Sequence, residues 1–312
     1  MPPDVVLVTG AGGFAGSHLV EQLAGSADLV GWSRSEPPRD VVHLARWQHV
    51  DILDREQVDS AIRDRRPDWI FHCAGLPNVA ASWSDTAAPL AVNVLGTQRV
   101  IDAAARLGRP CRILVTGSAQ VYASSVDPID EDHALAPASP YALSKLAQEQ
   151  LALGSTGGGV EVFVTRSFNH TGPRQKPDFL APSVARQIAR IERGEQEPVI
   201  KVGNLAPQRD ILDVRDAVRA YVAIVMKARP GIVYNVASGV GRPVQAIVDA
   251  LVSRARVPIR IEQDPVRFRP NDVPVLIGNP SRLEAATGWR PEISFDRMVD
   301  DLLAHWRGVE IE

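Results

Sequence analysis

The stretch that most limits the fold is "VLVTGAGGFAGSHLVEQL", residues 6–23. A β-branched run leads into glycines at 10, 13 and 16, and a helix-like segment follows. Gly10 permits a tight turn, Gly13 lets backbone approach a pyrophosphate, and Gly16 lets a helix pack on a sheet. An anion then sits at the positive helix N-terminus, beside Phe14 and Ala15. A glycine motif alone is weak evidence. With a strand before it and a helix behind, it reads as a dinucleotide fingerprint. The plainer alternative is a glycine-rich turn with no ligand.

The rest of the first half keeps the same rhythm. Strand-like runs lie at 4–9, 28–32, 69–73, 112–116 and 160–165, with helix-like stretches at 14–25, 54–65, 88–107 and 140–153. Strands alternating with helices predict βαβ units and a parallel sheet. The all-apolar character of "RILVTG" suits a strand covered on both faces. The expected fold is α/β: a Rossmann-type doubly wound parallel sheet over residues 1–166, then a smaller, mostly helical C-terminal lobe over 167–312. Helical patterns recur there at 181–193, 214–228 and 243–254, with a strand-like "GIVYNVA" at 231–237. Segments near 205–237 are expected to return to the first half.

Bulk properties exclude several classes. A net charge of −3 gives no basic balance for nucleic acid. Cys73 and Cys111 are the only cysteines and each sits in an apolar run, so neither a disulfide framework nor a thiolate metal site is expected. No run is apolar for the roughly 20 residues a membrane span needs. The chain enters a strand at once, with no signal peptide pattern, so the expected setting is the cytoplasm.

Cofactor choice is read at the end of the second strand, "LVGWSRS". An acidic residue there would hold a ribose 2′-hydroxyl. This chain has Ser33 and Arg34, which suit a 2′-phosphate, so NADP(H) is favoured and NAD(H) remains possible. Arg34 could equally be a solvated loop cation. Asp51 either caps an adenine amino group or is the N-cap of the next helix. Ile52 and Ala74 complete the expected cofactor wall.

Chemistry is read in "SPYALSKLAQEQL". Tyr141 and Lys145 are four residues apart and share a helix face. The ammonium is expected to lower the phenol's pKa. Ser118, 23 residues before Tyr141, ends the preceding strand and can meet them at the sheet's edge.

With these motifs the chain resembles the extended short-chain dehydrogenase/reductases that act on nucleotide sugars. The resemblance covers nearly the whole length. It rests on "TGAGGFAG", "GSAQVY", "YALSK" and "VNVLGTQRVIDAA", where Asn93 matches an asparagine that supports the lysine. It implies that Ser118 and Tyr141 hydrogen-bond the sugar oxygen, and that Lys145 binds the nicotinamide ribose and tunes the tyrosine. "RSFNHTGPRQ" is similar to the family's R-x-x-N-x-x-G-P segment and implies a substrate role for Asn169. Arg209 and Arg269 fall in segments that clamp a nucleotide diphosphate in the family. Guanine selection rests on resemblance around Lys201. Family members usually form homodimers.

The distal segments look most like the GDP-mannose 4,6-dehydratases and the GDP-4-keto-6-deoxy-mannose reductases. A dehydratase needs an acid or base besides the tyrosine, and its glutamate follows the serine or threonine by two. That position is Gln120 here, and Ala119 is equally inert. The expectation is NADPH-dependent reduction of a C4 ketone to a GDP-rhamnose type product, with Gln120 beside the substrate. A nucleotide-sugar 4-epimerase with retained NAD is the alternative. A 4,6-dehydratase and a non-catalytic dinucleotide sensor rank below it.

Overall fold

Strands and helices alternate from the first residues of the computed structural model, which describes residues 2–268 and 273–309. The first half runs β1 (Val5–Thr9), α1 (Phe14–Leu23), β2 (Asp28–Trp32), β3 (Arg46–Gln48), α2 (Arg55–Arg65), β4 (Trp69–His72), the short helices α3 (Ala81–Ser84) and α4 (Ala87–Pro89), α5 (Gly96–Ala105), β5 (Cys111–Ser118), α6 (Pro140–Gly154) and β6 (Val160–Ser167). The second runs β7 (Asn169–Thr171), α7 (Leu180–Glu192), β8 (Val199–Val202), β9 (Gln208–Asp213), α8 (Val214–Lys227), β10 (Val233–Val236), β11 (Gly241–Pro243), α9 (Val244–Val252), β12 (Arg260–Gln263), β13 (Val275–Leu276), α10 (Ser281–Thr287) and α11 (Phe295–Gly308).

Seven strands make one sheet in the order β10-β6-β5-β4-β1-β2-β3, all pairs parallel. This is the Rossmann-type doubly wound arrangement. Alternate residues of each strand serve opposite cores, as a two-residue period requires. Val6, Val8, Phe71, Leu114 and Phe163 face one side, where Leu19 and Val20 of α1 and Tyr221 and Ile224 of α8 pack. Leu7, Ile70, Ile113, Val115 and Val162 face the other, against Val58 and Ile62 of α2 and Val100 and Ile101 of α5. With both faces covered, the strands read as unbroken apolar runs. The winding reverses between β1 and β4, and beyond their carboxyl ends lies the crevice where such sheets bind ligands.

In the second half, α7, α9 and α11 surround a separate apolar core with Ile188, Ile247, Val248, Leu302 and Trp306 at its centre. Two small sheets accompany it: β8 with β12, and β9 flanked by β11, β13 and β7. The sequence did not signal these strands, because they are two to six residues long and several carry charges. Helix α11 did carry a signal that went unread: Met298, Val299, Leu302, Leu303 and Trp306 are buried on one face. The expected single helix over 88–107 is instead α4, a π-helical stretch at Leu90–Leu95 and α5. Helix α8 packs against α1, β10 joins the main sheet, and Leu283 and Trp289 insert into the same core. No helix among the described residues is long and apolar enough to cross a membrane. Arg269 lies outside the described residues.

Candidate active site

Gly10 turns the chain out of β1 at φ +66°, and a Cβ there would lie 2.7 Å from the Ala74 amide nitrogen after β4. A Cβ on Gly16 would lie 2.2 Å from the Gly10 carbonyl oxygen. Only bare backbone fits this crossing. Gly13 is the N-cap of α1, no side chain caps that helix, and its first turn holds no acid. The positive end of α1 is therefore left for a ligand anion. This cradle fits the pyrophosphate of a dinucleotide. Phe14 stacks on His170 with centroids 5.7 Å apart, so it offers its backbone to the cradle while its ring braces β7.

Ser33, Arg34 and Ser35 follow β2. A Cβ on Gly12 would lie 2.4 Å from Ser33 Oγ, which sets that hydroxyl against the glycine turn. Ser33 Oγ is 3.4 Å from Ser35 Oγ, so a second hydroxyl that the sequence reading passed over joins the group. Arg34 Nη1 stands 4.0 Å from Asp51 Oδ2, both side chains partly exposed. Asp51 Oδ1 accepts from Leu53 N at 2.9 Å. The N-cap of α2 is Asp54, whose Oδ1 accepts from Gln57 N, so the N-cap alternative for Asp51 is overturned. Ile52 is buried against the start of α5, where a Cβ on Gly96 would meet it at 2.5 Å.

The strand expected at 112–116 continues through Ser118, because a glycine at 117 lets β5 pass Thr165, whose carbonyl a Cβ would meet at 2.1 Å. Ser118 Oγ accepts from Gln120 N (3.2 Å) and lies near enough to the Tyr141 phenol to favour its ionised form. Helix α6 begins beside it. Ser139 is its N-cap, Pro140 occupies the first turn, and Tyr141 N donates to Ser82 Oγ. Ser118, Tyr141 and Lys145 are all buried. Lys145 Nζ donates to the Thr116 carbonyl (2.8 Å) and to Gln148 Oε1 (2.9 Å).

One expectation is corrected here. Burial raises the Tyr141 pKa and only the nearby Ser118 hydroxyl opposes it, so the lysine does not bring the phenol below its ordinary value. Burial instead lowers Lys145 to about 8, opposed by the Cys73 thiol. Asn93 makes its side-chain bonds beside the lysine. Its Nδ2 donates to Ser144 Oγ (2.9 Å) and its Oδ1 accepts from Leu76 N (2.9 Å). The π-helical stretch sets that direction, so Asn93 steadies α6 one residue before Lys145.

The arrangement can bind a dinucleotide at the α1 end and present a phenol, a hydroxyl and an ammonium to one carbonyl group. Residues 7–302 match the sequence profile of the GDP-mannose 4,6 dehydratase family. The chain belongs to the GDP-mannose 4,6-dehydratase family. It is 36% identical over 306 residues to a GDP-6-deoxy-D-mannose reductase of Pseudomonas aeruginosa, covering 96% of each. A UDP-glucose 4-epimerase of Bacillus subtilis is 28% identical, covering 97% of this chain and 96% of the relative. Among solved structures, RMD of Pseudomonas aeruginosa complexed with NADPH superposes with a TM-score of 0.86 at 33% identity, over 97% of this chain and 99% of the other.

In this member of the GDP-mannose 4,6-dehydratase family, Asn169 and Arg209 lie on the adjacent strands β7 and β9, and Lys201 lies on β8 of the other small sheet. Asn169 is exposed at the start of β7. Lys201 is exposed on β8 and lines a surface cavity of about 530 Å³ with Arg186, Gln187 and Arg190. Arg209 is buried on β9 and donates to the Gln208 carbonyl. Arg166, quoted within the R-x-x-N segment, holds the fold: its guanidinium meets both Glu149 oxygens, at 2.8 and 2.6 Å, and so ties β6 to α6. At the tip of β5, Ala119 is buried and Gln120 half-buried, with no carboxylate at either position.

Proposed function

We propose that this chain reduces the C4 ketone of a nucleotide 4-keto-6-deoxyhexose with NADPH, taking GDP-4-keto-6-deoxy-mannose to a GDP-rhamnose type product. The observation that carries the reading is a Ser-Tyr-Lys cluster with no acid at positions 119 and 120. Such a site can move one proton to the C4 oxygen but has no partner for expelling a C6 hydroxyl. The likeness to the Pseudomonas reductase supports the same choice.

When bound, the dinucleotide supplies the hydride that C4 receives. Tyr141 gives its phenolic proton to the C4 oxygen, and a pKa raised by burial keeps that proton in place beforehand. Ser118 donates to the same oxygen as charge develops on it. Lys145 supplies the positive charge that balances the emerging phenolate. Gly10, Gly13, Phe14, Ala15 and Gly16 hold the pyrophosphate, and Ser33, Arg34 and Ser35 the 2′-phosphate. Asp51, Ile52 and Ala74 wall the adenosine side. Asn169, Gln120, Lys201 and Arg209 are assigned to the nucleotide sugar, which lies between the two lobes. Arg269 keeps the role its motif implies.

Turnover of GDP-4-keto-6-deoxy-mannose with NADPH, followed at the nicotinamide absorbance, tests the reading against UDP-sugar controls. NADPH consumption with the GDP-ketosugar alone is expected; none would sink it. The epimerase reading is favoured by the UDP-glucose 4-epimerase of Thermus thermophilus complexed with NAD, which superposes with a TM-score of 0.86 at 27% identity. Tightly retained NAD with UDP-sugar interconversion would select that reading.

Arg34→Ala is expected to weaken NADPH by about 10–100-fold, the loss of one charge-assisted bond of ~1.5–3 kcal/mol, and to leave NADH nearly unchanged. Equal losses in a fluorescence titration would remove the 2′-phosphate assignment. A homodimer is part of the proposal. Trp83, Leu90 and Leu143 line one shallow depression and are each 41–55% exposed. Leu143→Glu should shift the protein from dimer to monomer in light scattering, and a monomeric parent would end the assignment. The proposed setting is the cytoplasm, where Cys73 and Cys111, both free, stay reduced.

A further inference from the structure

Behind Lys145 a chain of buried polar groups runs back to the base of the glycine loop. Gln148 follows Lys145 by one helical turn. Its Oε1 accepts from Lys145 Nζ (2.9 Å), and its Nε2 donates to Thr97 Oγ1 (2.7 Å). Thr97 Oγ1 donates to the Asn93 carbonyl at 2.6 Å, which uses its only proton. The 3.0 Å contact between Thr97 Oγ1 and His72 Nε2 is therefore a donation from the imidazole. His72 Nδ1 is then an acceptor, and Thr9 Oγ1 donates to it at 2.8 Å. The Ala74 amide donates to Thr9 Oγ1 in turn.

Thr9, His72 and Thr97 are fully buried, and Gln148 nearly so. Burial, with a smaller contribution from the Lys145 charge, lowers His72 to about 3, so the imidazole stays neutral and its tautomer is set by Thr97. The Gln148 amide is thereby oriented from behind. Its nitrogen end is taken by Thr97, and its oxygen end is left to face the ammonium.

The groups facing Lys145 are few. His72 and Cys73 come from β4 and the loop after it. Strand β5 presents the neutral Thr116 carbonyl. No carboxylate pairs with Lys145 among the described residues. The ammonium is thus held in a buried site by two neutral oxygens, one from the backbone and one from Gln148.

We propose that Gln148 is a positioning residue for Lys145: its amide, aligned by Thr97 and His72, directs the ammonium toward the site and helps it keep its proton. The proposal rests on the reading of Lys145 as the partner of Tyr141. An alkyl chain at 148 would fill the same space but offer no acceptor, which separates this role from packing.

Gln148→Met and Gln148→Glu test it, with circular dichroism as a check on folding. Two pH series are measured: kcat, and NADPH affinity by fluorescence without any sugar. In the parent, both should decline as pH rises through about 8, where Lys145 loses its proton. Methionine removes an acceptor, so the decline should move down by about one unit. Glutamate sets a carboxylate against Nζ, so it should move up by a similar amount. If only one variant folds, its shift decides the matter. Folded variants whose declines stay within about 0.2 units of the parent, or move in the same direction, would overturn the proposal. A parent that leaves the GDP-ketosugar untouched refutes the substrate reading instead, and the binding series still decides the role of Gln148.

Discussion

Tyr141→Phe should lower kcat for ketone reduction by at least ~10³-fold, within the range expected for losing a positioned general acid. NADPH affinity should stay within about twofold, since that tyrosine's contribution is a proton and not an anchor. The fold should survive. Tyr141 is fixed by its backbone, whose amide donates to Ser82, and by the cap that Ser139 places on α6. The phenylalanine ring fills the same space and removes only the oxygen that Ser118 meets. Stopped-flow reduction and an equilibrium titration of the same preparation separate the two effects. Turnover persisting above a hundredth of the parent's would assign the acid elsewhere, with the Ser118 hydroxyl as the next candidate.

Lys145→Met carries the second large effect, and it has two signs. Turnover should fall by about 10²–10³-fold, because the phenolate formed at Tyr141 loses its balancing charge. Stability should respond to pH in a defined window. The lysine's folded pKa, about 8, lies below its ordinary 10.5. Between those values the unfolded chain binds the extra proton, so the parent's stability rises with pH. The charged, buried lysine therefore costs the parent a constant amount below pH 8, and that cost fades as pH approaches 10.5. The shift is worth about 3 kcal/mol at 1.36 kcal/mol per unit. The variant lacks this titration, so its stability relative to the parent should fall by about that amount from pH 8 to 10.5. Urea unfolding of both proteins across the window measures it. Parallel curves would mean that Lys145 titrates normally in the folded state.

The long strands and the glycine loop were legible because their signals are local. Val6-Leu7-Val8 and Ile113-Leu114-Val115 are apolar without interruption since helices cover both faces. Tyr141 and Lys145 were legible from helical spacing, and Ser118 from its place at a strand end. What escaped depended on contacts distant in sequence. His72 meets Thr97, and Thr97 meets Gln148, only once the sheet and two helices are assembled. Gln148 itself was within reach, three residues after Lys145 on the same helix. The contacts of Asn93 could not be read because its segment looked like a straight helix and is a π-helical one. The direction of the Tyr141 shift was misjudged because burial, which decides it, has no local signature. Strands β9 and β13 were missed because "QRDILD" is half charged and β13 has two residues.

Trp289 stands in the first core, with its indole nitrogen donating to the Asp216 carbonyl, and β10 pairs along β6. The half that carries the glycine loop therefore takes a sheet edge, a covering helix and an aromatic plug from residues beyond Ser167. The first half is thus sealed by residues far along the chain, and a fragment ending at Ser167 would expose the apolar surface that α8, β10 and Trp289 cover.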